Sequence, residues 1–180
     1  RTSRGSMIGL TKEESKHLTK AQRMRMGSFY TPQRLVDEVY ELIRPYAAKH
    51  AAKVVVLDNA AGGGAFVPAD MDVDIRLADI DPKACEFLES TYANAKVYSR
   101  NALVGADRSA YDIAEDAYLI QVGNPPYNDT TSQFRNGQKG QNECDPDLFD
   151  RDLGISFLKS FHRLRSDLVC VLHPLSYLIK

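Results

Sequence analysis

The sequence contains no tryptophan, only three cysteines in 180 residues, and no long uninterrupted apolar segment. The three cysteines (Cys85, Cys144 and Cys170) are far apart and form no C-x-x-C pair, which argues against a disulfide scaffold, a zinc site or a redox motif. No apolar run approaches the roughly 18 residues that cross a bilayer, and the N-terminus lacks the apolar core of a secretory signal. We therefore expect a cytoplasmic protein with no membrane partner and with reduced thiols, of which Cys85 and Cys170 should be core residues because they lie in apolar stretches.

A large excess of charge of one sign is also missing. Lys and Arg number 23 against 24 for Asp and Glu, a net charge of −1. Because phosphate contacts need clustered positive charge, this balance argues weakly against a free-standing nucleic-acid-binding protein. The charge is unevenly distributed, however, since residues 1–34 contain eight basic side chains and only two acidic ones. We interpret residues 1–27 as a basic N-terminal arm with a helix from Thr11 to Gly27, either a solvated helix face behind a cloning remnant or a phosphate-binding arm.

Strands and helices are predicted to alternate along residues 28–180. The first strand, at 53–57, is a continuous β-branched run typical of a strand buried on both faces. Further strands are predicted at 75–79, 96–99, 118–122 and 168–172. This alternation predicts an α/β fold with a doubly wound, mostly parallel sheet and helices on both faces.

The helices are predicted from their caps and periodicity. Thr31 is the expected cap of a helix with Pro32 at its first position, and Pro45 should end or kink that helix. Other helices are predicted from Asp81 to about Asn94, around Ala110, and from Leu153 to about Leu164. The polar residues 128–152 lack periodicity and are interpreted as a long loop.

A glycine-rich segment, Asp58 to Phe66, follows the first strand. Glycine allows a tight turn and a close approach to a ligand, while Asp58 offers a hydrogen-bond acceptor at the strand end. Asp79 ends the second strand 21 residues later, where nucleoside-binding folds place a carboxylate on ribose hydroxyls. The spacing indicates a ligand that contains ribose, although glycine turns also occur for purely conformational reasons.

The strongest signal is Asn124-Pro125-Pro126-Tyr127, directly after the fourth strand. Two prolines fix the backbone, so the Pro125 carbonyl and the Asn124 side chain offer two acceptors beside an aromatic ring. This combination suits a planar substrate with an exocyclic amine, because binding both amine hydrogens localises the nitrogen lone pair. Tyr127 would hold the ring by stacking. The alternative is a rigid turn after a buried strand.

Together these segments resemble the motifs of S-adenosylmethionine-dependent N6-adenine DNA methyltransferases of restriction-modification systems. The resemblance rests on Asp58–Phe66, Ala78–Pro82, Asn124–Tyr127 and the upstream Phe29–Pro32, and the order of these motifs matches the gamma class. It implies a Rossmann-like methyltransferase fold, S-adenosylmethionine as cofactor, no metal, and transfer of a methyl group to a flipped-out adenine.

The resemblance also implies residue roles. The catalytic motif would be Asn124, Pro125 and Tyr127, with Asn124 also beside the cofactor. Phe29, Tyr30 and Thr31 would hold the methionine end of the cofactor. The loop residues Asp58, Ala60, Gly62 and Gly64 would pass along it, Asp79 would bind the ribose, and Ile80 and Asn101 would contact the adenine.

Three positions depart from the family pattern. Asn59 stands where Pro usually follows the first Asp, and Ala61-Gly62-Gly63-Gly64 replaces a frequent Cys-Gly-Ser-Gly. Asn101 stands where Asp usually accepts a hydrogen bond from the adenine amine, and its side-chain carbonyl keeps that capacity. The last motif, His173 to Tyr177, is similar to a later family motif, but a lone His there is more often structural than catalytic.

The resemblance implies double-stranded DNA as partner, through a target recognition domain beyond Lys180, and a restriction endonuclease as a second partner in a bacterial or archaeal cytoplasm. Five strands are readable where the family fold has seven, so we expect residues 28–180 to be an incomplete catalytic domain that lacks its last strands.

Other functions remain open from sequence. Asn-Pro-Pro-Tyr chemistry also serves a protein glutamine or RNA adenine methyltransferase, although Phe29–Pro32 favours DNA. A non-catalytic S-adenosylmethionine-binding or DNA-specificity module is the alternative of a different class. A dinucleotide-dependent oxidoreductase is disfavoured, because the loop lacks the third spaced glycine.

Overall fold

The computed structural model describes residues 31–50, 53–127 and 143–174. The chain separates into two units, Arg1–Tyr30 and Thr31–Lys180, and every described residue belongs to the second unit. The predicted arm helix at 11–27 and residues 128–142 of the predicted loop therefore lie outside the described residues.

Five strands form one sheet in which every neighbouring pair is parallel. They are β1 (Val54–Asp58), β2 (Asp74–Asp79), β3 (Ala95–Ser99), β4 (Tyr118–Gly123) and β5 (Leu168–Val171), in the spatial order β3-β2-β1-β4-β5. All five predicted strands are confirmed, with ends shifted by no more than one residue. The chain builds the sheet outward from β1 in one direction and then, from β4, in the other. The carboxyl ends of β1 and β4 therefore flank the point where strand order reverses, which is where open α/β sheets bind ligands.

Helices flank the sheet, which confirms the doubly wound α/β, Rossmann-like arrangement. They are α1 (Gln33–Lys49), α2 (Pro82–Thr91) and α3 (Leu153–Arg163), with a 3₁₀ turn at Ser109–Tyr111. Asp81 and Asp152 cap α2 and α3, each accepting a hydrogen bond from the backbone N–H two residues on, at 3.0 Å. Across the described ranges, no helix combines the length and apolarity needed to cross a membrane.

The β1 side chains are buried on both faces of the sheet, as the continuous apolar run predicts. Val54 and Val56 pack with the apolar face of α1, while Val55 and Leu57 pack in a second cluster with Tyr111. Smaller clusters join Leu88 of α2 to the β2 side of the sheet and Phe161 of α3 to the loop after β3. These clusters pack against the sheet and leave its carboxyl edge to the loops after the strands.

The start of α1 differs from its prediction. Pro32, rather than Thr31, is the N-cap residue, with no side-chain hydrogen bond, and its carbonyl accepts from the N–H groups of Leu35 and Val36. The Thr31 hydroxyl instead faces Asn124. A tertiary contact has therefore replaced the expected local cap.

The end of α1 also differs, because the helix continues through Pro45 to Lys49. Pro45 has no N–H to donate to the carbonyl of Glu41, four residues earlier. Both residues are exposed, so this carbonyl lies on the side toward water, whereas Ala47 is buried in the apolar face. Packing of that face outweighs one missing backbone hydrogen bond.

Three smaller expectations are also corrected. The helix expected around Ala110 is only the three-residue 3₁₀ turn, and α2 ends at Thr91 rather than near Asn94. Tyr92 forms the C-cap of α2 and turns its ring toward the glycine loop. Cys85 is buried, as expected of a core thiol, whereas Cys170 is only half-buried on the outermost strand β5.

Candidate functional site

The loop after β1 is held by backbone hydrogen bonds at the carboxyl edge of the sheet. Ala61 N donates to Ala78 O at 2.9 Å, and Gly64 N donates to Ala61 O at 2.7 Å. Gly62 and Gly64 have φ values of 51° and 77°, in the left-handed region that favours glycine. A Cβ on Gly64 would lie 2.4 Å from the Tyr92 ring. The close approach at Gly64 is thus made by a tyrosine of this chain.

Asp79 organises the same loop from the end of β2. Its Oδ2 accepts a hydrogen bond from Gly62 N at 2.8 Å, and its Oδ1 accepts one from Asp81 N at 2.9 Å. Each carboxylate oxygen keeps a second lone pair, and the side chain is half-buried. Asp79 is therefore oriented by the loop and retains capacity to accept hydrogen bonds from ligand hydroxyls.

Ile80 and Asn101 follow the neighbouring strands β2 and β3 at the same edge of the sheet as Asp79. Ile80 follows Asp79 and is 43% exposed, which leaves an apolar surface beside a half-buried acid. Asn101 is two residues beyond Ser99, the β3 partner of Asp79. Its Oδ1 accepts from Leu103 N at 2.9 Å, and its Nδ2 donates to Glu143 O at 2.6 Å. One lone pair of the Asn101 carbonyl remains available to a ligand.

Asp58, at the end of β1, is almost completely buried, at 2% exposure. Its Oδ1 accepts a hydrogen bond from Ala60 N at 3.1 Å. Burial raises the pKa of Asp58 from 3.8 to about 7; the Ala60 hydrogen bond opposes this shift, and the nearby charge of Asp79 adds to it. The acceptor that the sequence predicts at this strand end thus faces the protein rather than solvent.

The Asn124-Pro125-Pro126-Tyr127 segment leaves the adjacent strand β4. The Tyr127 hydroxyl contacts both Asn124 Oδ1 and Leu172 O, the latter at 2.6 Å, and burial raises the pKa of Tyr127 to about 12. The ring lies 5.4 Å from that of His173, whose pKa is lowered by burial. The Tyr127 hydroxyl can occupy at most one of the two lone pairs of Asn124 Oδ1, so one lone pair remains available.

The two sequence signals meet between β1 and β4. A Cβ on Gly123, directly before Asn124, would lie 2.8 Å from Asp58 Oδ1, so glycine is required for the strands to approach here. Just before α1, the Thr31 hydroxyl accepts a hydrogen bond from Asn124 Nδ2 at 3.4 Å. Of the upstream motif, Phe29 and Tyr30 lie outside the described residues. The structure thus brings the glycine loop, Thr31 and the Asn124 motif to one edge.

Sequence reasoning missed two parts of this edge. Gln121 and Asn59 form a buried amide pair behind the loop, and the signal was a glutamine inside the otherwise apolar β4 run. The second part is the end of the long loop: besides the Asn101 contact, Asp145 N donates to Leu103 O at 2.8 Å and Asp145 Oδ2 accepts from Gly105 N at 2.9 Å. The polar composition of residues 128–152 gave no indication of these Asp145 contacts.

Comparison with known proteins assigns no family to this arrangement. No protein-family model matches the chain, and no curated protein matches it significantly. Among the described residues, no three His, Cys, Asp or Glu side chains gather as candidate metal ligands. The function therefore has to be argued from the fold and from the geometry of its carboxyl edge.

Proposed function

We propose that the chain carries the catalytic site of an S-adenosylmethionine-dependent DNA adenine-N6 methyltransferase. The observation that carries the proposal is the meeting of two segments at the strand-order reversal: the glycine loop after β1 and Asn124–Tyr127 after β4. Their approach is close enough that the Asp58 carboxylate lies against Gly123. A methyl transfer needs such a meeting, because the donor site and the site of the accepting amine must lie side by side.

The residues at this edge fit S-adenosylmethionine in their donor and acceptor chemistry. Asp79 keeps lone pairs for vicinal ribose hydroxyls, and the exposed Ile80 offers an apolar surface for the adenine ring. Asn101 would accept a hydrogen bond from the adenine amine through its remaining lone pair. Thr31, beside Asn124, and the Gly62–Gly64 turn would flank the methionine part of the cofactor.

The chemistry asks two things of the chain's own residues. When bound, S-adenosylmethionine supplies a methyl carbon on a positively charged sulfur. The amine nitrogen forms the new bond, the sulfur keeps the electrons of the broken bond, and the nitrogen then loses one proton to water. Asn124 Oδ1 and the Pro125 carbonyl would accept the two amine hydrogens and direct the nitrogen lone pair. Tyr127 would stack on the target base once its hydroxyl releases Asn124.

A labelling experiment tests this function. The full-length gene product is incubated with methyl-labelled S-adenosylmethionine and unmethylated duplex DNA, and the digested nucleosides are separated. We expect the label in N6-methyladenine, with its loss in an Asn124→Ala variant. Label in RNA or in a glutamine-containing peptide, with none in DNA, would instead select the corresponding alternative methyltransferase.

Binding without turnover on any of these substrates would indicate a non-catalytic S-adenosylmethionine-binding module.

The proposal includes two partners. One is double-stranded DNA, bound through a recognition domain outside these 180 residues, and the other is a restriction endonuclease. Both follow from the motif resemblance, and co-purification of a nuclease activity from the native source would test the second.

A further inference from the structure

Two buried amides lie directly behind the proposed site. Gln121, in β4, is completely buried, and Asn59, the first residue after β1, is 3% exposed. Gln121 Nε2 donates to Asn59 Oδ1 at 3.3 Å and lies 3.3 Å from the carbonyl of Val122. One amide therefore contacts both the start of the glycine loop and the backbone two residues before Asn124.

This polar pair is incompletely satisfied. Among the described residues, Gln121 Oε1 and Asn59 Nδ2 are buried without a partner in hydrogen-bond geometry. The hydroxyl of the fully buried Tyr111 interacts with the Asn59 side chain but also lacks a partner in that geometry. Buried amides that lack partners destabilise the folded state, so apolar residues would serve this core better if packing were their only role. An explanation of the pair must give it a second role.

The surroundings leave the pair little freedom. Leu57 and Gln121 are paired across β1 and β4, and Tyr111 packs in the same cluster as Leu57 and Leu119. The Tyr111 ring is fixed by the Arg100 guanidinium, 4.7 Å from its centroid, and by an edge contact with Tyr98. Because close-packed side chains surround the pair, a shift of Gln121 would be transmitted to Asn59 and the loop.

We propose that Gln121 and Asn59 are positioning residues that hold the glycine loop in register with the strand that carries Asn124. The catalytic consequence rests on the proposed methyl transfer, since the loop places the methyl donor and Asn124 places the accepting amine. Misplacement of reacting groups by about 1 Å costs about a hundredfold in rate. The need to fix the loop to the strand thus explains why an amide pair that lowers the stability of the core occurs here.

The test replaces each amide with an apolar residue of similar shape: Gln121→Met, Asn59→Leu and the double variant. Leu119→Met, on the same face of β4, is the matched control, because it alters the same cluster without touching the amides. Backbone hydrogen exchange at Ala60, Ala61 and Gly64 reports on the loop, and exchange in β2 reports on the rest of the sheet. One single variant changes the strand residue and the other changes the loop residue, so the test does not depend on one of them folding.

We expect the double variant to melt at or above the parent temperature, because both partners of the amide pair are removed together. Exchange at the loop amides should nevertheless rise about tenfold, with β2 amides and the Leu119→Met control unchanged. In methyl transfer by the full-length enzyme, kcat should fall between about tenfold and a hundredfold while KM for the cofactor changes little.

A merely structural pair would give a more stable double variant with parental loop exchange and parental kcat, and this result would overturn the proposal. If the parent enzyme transfers no methyl group, the proposed function fails, and the exchange measurement alone still decides whether the pair positions the loop.

Discussion

Arg108, at the amino-terminal edge of the sheet, and Asp58, at the carboxyl-terminal edge, are both buried charged residues with contrasting surroundings. Arg108 donates to six oxygens, all in the segments that lead into β4 and β5: the carbonyls of Ala114, Glu115, Ala117, Leu164 and Arg165, and the Asp167 carboxylate. Asp58 accepts one hydrogen bond within the described part of the chain, and its pKa is raised. Arg108 thus joins the segments that lead into β4 and β5 and serves stability.

The carboxyl edge contains groups of a different kind. These are the left-handed glycines Gly62 and Gly64, the half-exposed Ile80, and amide atoms of Asn59 and Gln121 that have no hydrogen-bond partner within the described part of the chain. Buried polar groups without partners cost stability. The contrast between Arg108 and the carboxyl edge predicts that replacement of Arg108 lowers stability, whereas replacement of residues of the proposed site lowers binding or turnover.

Replacement of Arg108 should give the largest effect. Arg108→Met leaves carbonyls of two segments without their donor, so we expect a loss of about 3 kcal/mol or more in the free energy of unfolding. Urea denaturation measures this loss. Arg34→Met, at an exposed position on α1, is the control and should change stability by no more than about 0.5 kcal/mol. Equal stability of the two variants would remove the contrast between the edges.

Replacement of Asn124 should affect turnover rather than folding. Asn124→Ala removes one of two proposed acceptors of the target amine, and loss of one preorganised group of this kind costs about a hundredfold to a thousandfold in rate. Affinity for S-adenosylhomocysteine should change far less. Asn94→Ala, in an exposed turn before β3, is the control that keeps parental activity. Methyl transfer by Asn124→Ala at the parental rate would refute the role of Asn124.

The contrast between edges also shows what the sequence allowed us to predict. The strands were predictable because each is a short β-branched or aliphatic run between turn residues, and the α2 cap was predictable because Asp81-Pro82 is a local signal. Local signals failed where distant contacts decide. Thr31 faces Asn124 instead of capping α1, and α1 passes Pro45 because its apolar face packs on the sheet.

The same distinction applies to the candidate site. Asp58, the glycine loop, Asp79 and Asn124 were found because strand ends in a parallel sheet gather at one edge, and the structure places them there. The approach of Asp58 to Gly123 and the pairing of Gln121 with Asn59 depend on strand register, which single residues do not reveal. Likewise, the contact of Asn101 with Glu143 joins segments 42 residues apart.

Replacement of Asp79 tests the ligand-binding role proposed for the carboxyl edge. Asp79→Ala removes the proposed ribose acceptor and should weaken S-adenosylhomocysteine binding by about 1.5 to 3 kcal/mol. Because Asp79 also holds Gly62 N, Asp79→Asn serves as a second variant that keeps one acceptor oxygen. Asp72→Ala, an exposed position before β2, should bind as the parent does. Parental affinity in Asp79→Ala would show that the carboxylate does not contact the ligand.

The smallest effect concerns the pH dependence of stability. The pKa of Asp58 rises from 3.8 to about 7 on folding, so the unfolded chain releases this proton first and the Asp58 contribution to stability falls as pH rises through that window. Asp58→Asn removes the titration. Its stability gain over the parent should be larger at about pH 8 than at about pH 5, by about 2 kcal/mol.

Parallel urea denaturations at the two pH values measure this difference. Asp116→Asn is the control, because the pKa of the exposed Asp116 is lowered by its contact with Lys53, so its effect on stability has the opposite sign. A pH-independent gain in Asp58→Asn would contradict the burial argument.

Calorimetric titration of the 180-residue chain with S-adenosylhomocysteine tests the central claim most directly, namely that the carboxyl edge between β2 and β4 is a nucleoside site. The chain, Asp79→Ala and Asp72→Ala are titrated side by side. We predict saturable binding of one ligand per chain, in the micromolar to millimolar range usual for enzyme substrates, weakened in Asp79→Ala alone. Absence of binding to the folded parent chain, or equal affinity in all three proteins, would contradict the account.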